Sequence, residues 1–274
     1  MSICRMFLRK FTFSLLMKPV DIQHRGNNSI YFVSDLHLGL PDIETSHDRE
    51  RLFVQWLSSI ESKCDALCIV GDLFDVWFEY KRVVPRGHVR VLGALARLSD
   101  KGIPIYFFKG NHDAWLRGYL EEEIGARVID DYQVFSYRGR LAYVAHGDGK
   151  GPEDLGYKRL KKVFRNPFLF RLFSLIHPNL GLRMATRFSR GSRAKQEHLR
   201  LSPKTVEVRI RWHVQYCERK QKDFPVDFYV MGHHHFSTTK SISNGALYIN
   251  LGAWFDQPFC GIWNKEGLAL SPVG

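Results

Sequence analysis

The stretch SIYFVSDLHLG, from Ser29 to Gly39, sets the reading of this chain. A short run of apolar, aromatic and β-branched residues, Ile30 to Val33, is closed by Asp35 and His37. Such a run bounded by polar breakers reads as a buried strand. The same arrangement recurs outward from it. Ala66 to Val70 runs into GDLFD with Asp72, and Ile103 to Phe108 into GNHD with Asn111. Leu141 to Ala145 runs into HGD with His146, and Val226 to Met231 into GHHH with His233 and His235. Ligands of open α/β sheets sit at the carboxyl ends of the strands, so polar motifs at five successive strand ends point to one rim and one site.

Between the first three strands lie helix-length segments, about 47–61 and 87–101, the first with Leu52, Phe53, Trp56, Leu57 and Ile60 on one face. Strand, helix, strand, helix, strand implies a largely parallel sheet. After His235 come shorter strands at 237–242, 246–250, 261–263 and 268–270, with Asn244-Gly245 as a hairpin signal. They read as a second, antiparallel sheet packed on the first. About seventy residues of helical character, punctuated by Pro167, Pro178 and Pro203, separate the fourth and fifth strands. That is far too long for a loop and reads as an insertion. The expected organisation is a flexible extension over 1–26, a core over 27–149 and 224–274, and a basic, apolar helical insertion over 150–223.

The chain has 274 residues, 45% of them hydrophobic and 25% charged, which suits one globular core with an insertion and excludes a disordered or fibrous protein. Its formal charge of +12 favours an anionic partner. Residues 150–222 hold nineteen Lys and Arg against five Asp and Glu, so this one segment carries the whole excess. Cys4, Cys64, Cys68, Cys217 and Cys260 form no paired framework, which suggests packing residues in a reducing compartment. The apolar stretch Phe7 to Met17 is too short to span a bilayer and is interrupted by Arg9 and Lys10.

Asp35 and His37 are two residues apart, as are His233 and His235, so an extended backbone would aim each pair to one side. Taken singly, a lone Asp before a helix is an N-cap and a lone His is a packing residue. Together, in order, they read as a metal site. Carboxylate, amide oxygen and imidazole suit Mn²⁺, Fe or Zn²⁺. Two such ions about 3.5–4 Å apart lower the pKa of a bridging water and neutralise phosphate charge.

These residues resemble the calcineurin-like metallophosphoesterase superfamily, whose signature Asp-x-His, Gly-Asp, Gly-Asn-His-Asp, His, Gly-His-x-His runs here from Ser34 to His235. The resemblance implies an α/β fold, a four-layer αββα sandwich of two mixed β-sheets with a helical lid. It implies that Asp35, His37, Asp72 and His235 hold one divalent ion. Asp72, Asn111, His146 and His233 would hold the other, with Mn²⁺ the usual metal. Asn111, His112 and Asp113 would form the catalytic group, His112 contacting the phosphate or protonating the leaving oxygen and Asp113 orienting its ring. His234 is expected to face away.

The insertion joins Lys and Arg to bulky apolar residues such as Val163, Phe164, Phe168, Phe170, Phe173, Leu175, Leu180 and Phe188. One reading is a helical pair with its apolar face on the core. The other is a lid that grips an acylated anion. With GDLFD, the Asp154-Leu-Gly-Tyr157 stretch, Asn166-Pro167 and LGAW at 251–254, the chain is similar to the UDP-2,3-diacylglucosamine pyrophosphatases of lipid A biosynthesis. That branch implies hydrolysis of a nucleotide-linked acylated sugar to UMP and 2,3-diacylglucosamine 1-phosphate. Substrate contacts would come from Asn111, His112, Asp154, Tyr157, Arg187, Arg190, Ser192 and Lys195. The branch often carries Arg after the Asn of the third motif, where this chain has His112. A basic, apolar surface also favours an anionic membrane, so the expected location is cytoplasmic and peripheral on the inner membrane. Rival readings are a phosphodiesterase or nuclease of the same superfamily, which needs a polar, aromatic-studded groove, and a binding module on a retired scaffold, which needs a lost ligand.

Overall fold

The computed structural model describes residues 18–151, 155–164, 166–200, 203–255 and 257–274. Strands β2 (Ser29–Val33), β3 (Cys64–Ile69) and β4 (Ile105–Phe108) are buried along their whole length, because the period-two alternation of a strand here faces apolar partners on both sides. Ile30, Phe32, Ala66 and Cys68 point into the space between two sheets. Tyr31, Val33, Leu67 and Ile69 point outward to α1 (Ile43–Ile60) and α2 (Val89–Asp100), where Phe53, Trp56, Leu57, Val91, Leu95 and Leu98 cover them. Leu52, expected on that face, is instead solvent-exposed. Asp42 caps α1 by accepting from Thr45 N.

The first sheet is completed by β5 (Arg127–Ile129), which follows the short α3 (Tyr119–Ile124), and by β11 (Phe259–Trp263) and β12 (Leu268–Pro272). Its order is β12-β11-β2-β3-β4-β5, parallel from β2 to β5. The second sheet holds β1 (Val20–Asp21), β6 (Tyr132–Tyr137), β7 (Arg140–Ala145), β8 (Phe228–Met231), β9 (Ser237–Ser241) and β10 (Leu247–Leu251), in the order β1-β6-β7-β8-β10-β9. Phe135, Val144, Val230 and Ile249 from this sheet meet Phe32 and Trp263 of the first. The outer face of the second sheet is covered by α7 (Pro203–Asp223), whose Ile210, Val214 and Cys217 pack on Tyr143, Tyr229, Met231 and Tyr248. The layers are therefore helix, sheet, sheet, helix, the αββα class expected.

Three details differ from expectation. The strands after His235 do not build a sheet of their own. β9 and β10 pair antiparallel across Asn244 and Gly245, both at positive φ, but β10 lies parallel to β8, and β11 pairs with β2 of the first sheet. Both sheets are mixed, because pairing partners are chosen by shared cores that alternation does not reveal. The expected flexible extension over 1–26 does not hold for Val20–Ile22, since Val20–Asp21 pairs with β6 and Ile22 is buried; residues 1–17 lie outside the described residues. The segment 150–223 also divides. α7 is a core layer, while α4 (Leu155–Phe164), α5 (Pro167–Ser174) and α6 (Pro178–Arg200) stand over the strand ends. Cys64, Cys68, Cys217 and Cys260 are buried free thiols, as packing residues should be.

Candidate metal centre and the cavity beside it

The chain leaves its strands in an uncommon way at this rim. Asp35, His37, Asp72, His233 and His235 all have positive φ, between 47° and 70°, and they make up five of the seven non-glycine residues in that state among the described residues. The extended backbone expected for the two spaced pairs is thus a correction: both pairs lie beyond their strand ends in left-handed turns. Each such residue costs on the order of 1–3 kcal/mol and persists where its surroundings over-determine it. Here Asp35 N donates to Gly71 O (3.1 Å) and His37 N to Asp72 O (3.0 Å), locking one turn against the other. Two glycines make the approach possible. A Cβ at Gly110 would fall on the Asp72 carboxylate, and one at Gly232 on Ser34 and Asp35.

These turns bring together the side chains that the motifs singled out. His235 Nε2 lies 3.1 Å from Asp35 Oδ1 and 3.1 Å from His37 Nε2, and His37 Nε2 lies 3.7 Å from Asp72 Oδ2. His146 Nε2 lies 3.4 Å from Asp72 Oδ2 and 3.3 Å from Asn111 Oδ1, and the His233 ring centroid is 5.2 Å from that of His146. Asp72 therefore stands between two groups of ligand-type atoms.

Each carboxylate is half satisfied. Asp35 Oδ2 accepts from His233 N (2.8 Å) and Ser34 Oγ (2.5 Å), and Asp72 Oδ1 from His112 N (2.9 Å). Asp35 Oδ1 and Asp72 Oδ2 are buried, make no well-formed hydrogen bond, and face ring nitrogens of His235 (3.1 Å) and His146 (3.4 Å). A buried acceptor left without a donor costs about 1–3 kcal/mol, and more when charged, which is the environment a cation relieves. Burial would raise the Asp35 carboxyl, but His235, His37 and His146 hold it well below the usual range. Asp72 is likewise lowered against its burial, chiefly by His146 and His112. Burial would push the His146 ring down, yet Asp72, with Asp35 and Asp148, raises it to about 10. Burial and the neighbouring His146 push His233 down to about 3, leaving it a neutral donor. Anionic, imidazole and amide donors with orphaned oxygens fit a pair of divalent cations.

His112 is near but differently held. Its Nδ1–H donates to Asp75 O (2.9 Å), and the Asp75 carboxylate lies 3.3 Å from the same nitrogen. Asp113 does not orient this ring, contrary to expectation. Its carboxylate is fully buried and accepts from Leu73 N (2.9 Å) and Gly110 N (2.8 Å), bracing the two ligand turns. Asp75 is the residue that sequence reasoning missed; its position three beyond Asp72 in GDLFD was the available signal.

The rim opens on a cavity of about 700 Å³. Asn111, His112 and His233 lie at its metal edge, and Val163, Phe164, Leu169, Phe170, Phe173 and Met184 of the inserted helices form an apolar wall. Phe170 stacks on Phe78, and Phe173 lies against Trp115, whose Nε1 donates to Phe164 O (2.8 Å). Another part of the wall is polar and aromatic, with Arg209, Trp212, His213 and His234. His234 does not turn away from this space; its ring stacks on His213 at 4.0 Å and lines the cavity. Of the expected substrate contacts, Arg187 and Arg190 are exposed and do not line the cavity, which α6 reaches through Met184, Ala185, Phe188 and Ser189. Asp154 and the side chains of Tyr157, Ser192 and Lys195 lie outside the described residues.

The model of the calcineurin-like phosphoesterase family matches residues 29–237. The chain is 34% identical over 256 residues to the UDP-2,3-diacylglucosamine hydrolase of Porphyromonas gingivalis, an alignment that covers 90% of this chain and 98% of that one. It is 30% identical over 225 residues to the enzyme of the same name from Actinobacillus succinogenes, covering 82% of this chain and 91% of that one. Among solved structures, a dimetal phosphatase of Danio rerio aligns with 91% of this chain and 97% of its own, at 13% identity and a TM-score of 0.46.

Proposed function

We infer the reaction from a premise that the match establishes: the chain belongs to the calcineurin-like phosphoesterase family. It is a metal-dependent hydrolase of lipid A biosynthesis that cleaves the pyrophosphate of UDP-2,3-diacylglucosamine, giving UMP and 2,3-diacylglucosamine 1-phosphate. The observation that carries this reading is the cavity, which joins the ligand rim to an apolar wall of inserted helices. A nuclease needs a polar groove along a backbone, whereas this wall of Phe, Leu and Val suits acyl chains. The polar part, with Trp212 and Arg209, suits the uridine end.

In this reading Asp35, His37, Asp72 and His235 hold one ion and Asp72, Asn111, His146 and His233 the other, Mn²⁺ before Fe or Zn²⁺. When bound, the pair supplies a hydroxide at neutral pH and charge neutralisation at the phosphates. The chain's own residues do the rest. His233, kept neutral by burial and its neighbour, offers a lone pair rather than a proton. His112 presents its second ring nitrogen to a phosphate oxygen while Asp75 holds the first. A water that has given one proton to solvent bonds through its oxygen to the nucleotide-side phosphorus, the anhydride P–O bond breaks, and the 1-phosphate leaves with the electron pair.

No helix among the described residues is long and apolar enough to cross a membrane. Phe168, Leu175 and Leu180 are exposed on the basic insertion, at 71%, 82% and 55%, and this supports peripheral docking on the anionic cytoplasmic face of the inner membrane. The deciding assay supplies Mn²⁺ and compares UDP-2,3-diacylglucosamine, its deacylated analogue and single-stranded DNA. UMP release should be fast only from the acylated substrate. Equal rates with and without acyl chains would remove the lipid reading.

A further inference from the structure

Ser189 sits on α6, between the exposed Phe188 and Arg190, yet only 5% of its surface is accessible. Its hydroxyl donates to Asp75, 3.0 Å from each carboxylate oxygen, and lies 3.3 Å from His112 Nδ1. Asp75 is itself buried and reaches two ring nitrogens of the site: its carbonyl accepts from His112 Nδ1, and its carboxylate lies 3.3 Å from that nitrogen and 3.7 Å from His37 Nδ1. Because a carbonyl can only accept, His112 Nδ1 must carry the proton, which leaves Nε2 as the atom that can meet a ligand. The ring is also set edge-on against His37, with centroids 4.8 Å apart. One side of His112 is thus fixed by a residue of the core rim and by one residue of the inserted helices.

We propose that Ser189 is a positioning residue through which the inserted helices set the orientation of His112 at the phosphate. This rests on the reading of His112 as the phosphate-facing donor. The hydroxyl holds the Asp75 carboxylate at the angle that receives the ring; without it the carboxylate loses its bond from α6, and the imidazole can rotate away from the attack line. Phe188, the preceding residue, lines the same cavity, so the helix that contacts the lipid part of a substrate also steadies the group that meets its phosphate.

The test is a double-mutant cycle with a spectroscopic partner. Ser189→Ala should lower kcat about tenfold with KM nearly unchanged, the size of one hydrogen bond to a charged group, while Ser189→Thr, which keeps the hydroxyl, restores most of it. In a His112→Ala background the same Ser189→Ala change should cost less than about twofold, because groups acting through one another do not add. In Zn²⁺-loaded protein, the His112 Nδ1–H resonance should shift and exchange faster with water in Ser189→Ala, and the signals of histidines that do not face Asp75 should hold. An equal loss in both backgrounds, no loss in the first, or an unmoved His112 resonance overturns the proposal. If His112→Ala turns over too slowly to measure, the resonance decides alone. Failure of the unmodified protein to release UMP would instead remove the proposed substrate, and the resonance would still test Ser189.

Discussion

Metal binding should tighten as pH rises through neutrality, because the site holds a proton where a cation must go. His146 is raised to about 10 by Asp72, Asp35 and Asp148 against its own burial. The folded value lies above the ordinary one, so this proton stabilises the metal-free fold fully below about pH 6.5 and its contribution fades as pH climbs toward 10. A divalent ion needs the lone pair and must displace it. At pH 7 that displacement spans about three units, or ~4 kcal/mol at 1.36 kcal/mol per unit. Apparent affinity at the His146 site should therefore rise roughly tenfold per pH unit between 6.5 and 8.5. Calorimetric titration of Mn²⁺ in buffers of different ionisation enthalpy measures both the slope and the proton released, expected near one. His146→Gln should flatten the dependence. Affinity that stays level across this range, with no proton released, would refute the reasoning.

Gly110→Ala drives a Cβ into the Asp72 carboxylate, so it should abolish metal binding and lower stability by about 1–3 kcal/mol, read by metal content and thermal unfolding. Phe173→Ala removes a ring from the apolar wall and should raise KM for the acylated substrate on the order of tenfold while leaving the deacylated analogue unchanged; equal changes would show a general defect. His213→Ala removes the bond to Gly147 O (3.0 Å) and the acceptor of the Tyr248 hydroxyl (2.8 Å), leaving that oxygen only its bond from Asn250, and should cost about 2–4 kcal/mol of stability by denaturant unfolding.

The site was legible in the sequence because its ligands follow strand ends, and a strand end has a local signature. Ser34 to Gly39, GDLFD, GNHD and GHHH announce both the sheet and the rim. Strand partners were not legible. Nothing in the alternation of 259–263 says that it will pair with β2 rather than with its own neighbours in sequence. The left-handed turns at Asp35, His37, His233 and His235 were hidden for a related reason: two residues of spacing suit an extended strand equally well, and the choice is made by bonds of Asp35 and His37 to Gly71 and Asp72 and of His233 N to Asp35. Asp75 holds the His112 ring where adjacency pointed to Asp113, which braces the turns instead, because a carboxylate serves whichever donor the fold places before it. α7 read as part of the insertion since its basic face dominates its composition, and only the packed structure shows Cys217 and Val214 under the second sheet.

The proposed hydrolysis depends on a pair of cations at Asp72, the carboxylate that stands between both groups of donors. Metal content and UMP release measured together on the unmodified chain and on Asp72→Ala test it most directly. Two ions per chain with metal-dependent release in the first, and loss of both in a folded Asp72→Ala, are the predicted results; undiminished release from Asp72→Ala would contradict it.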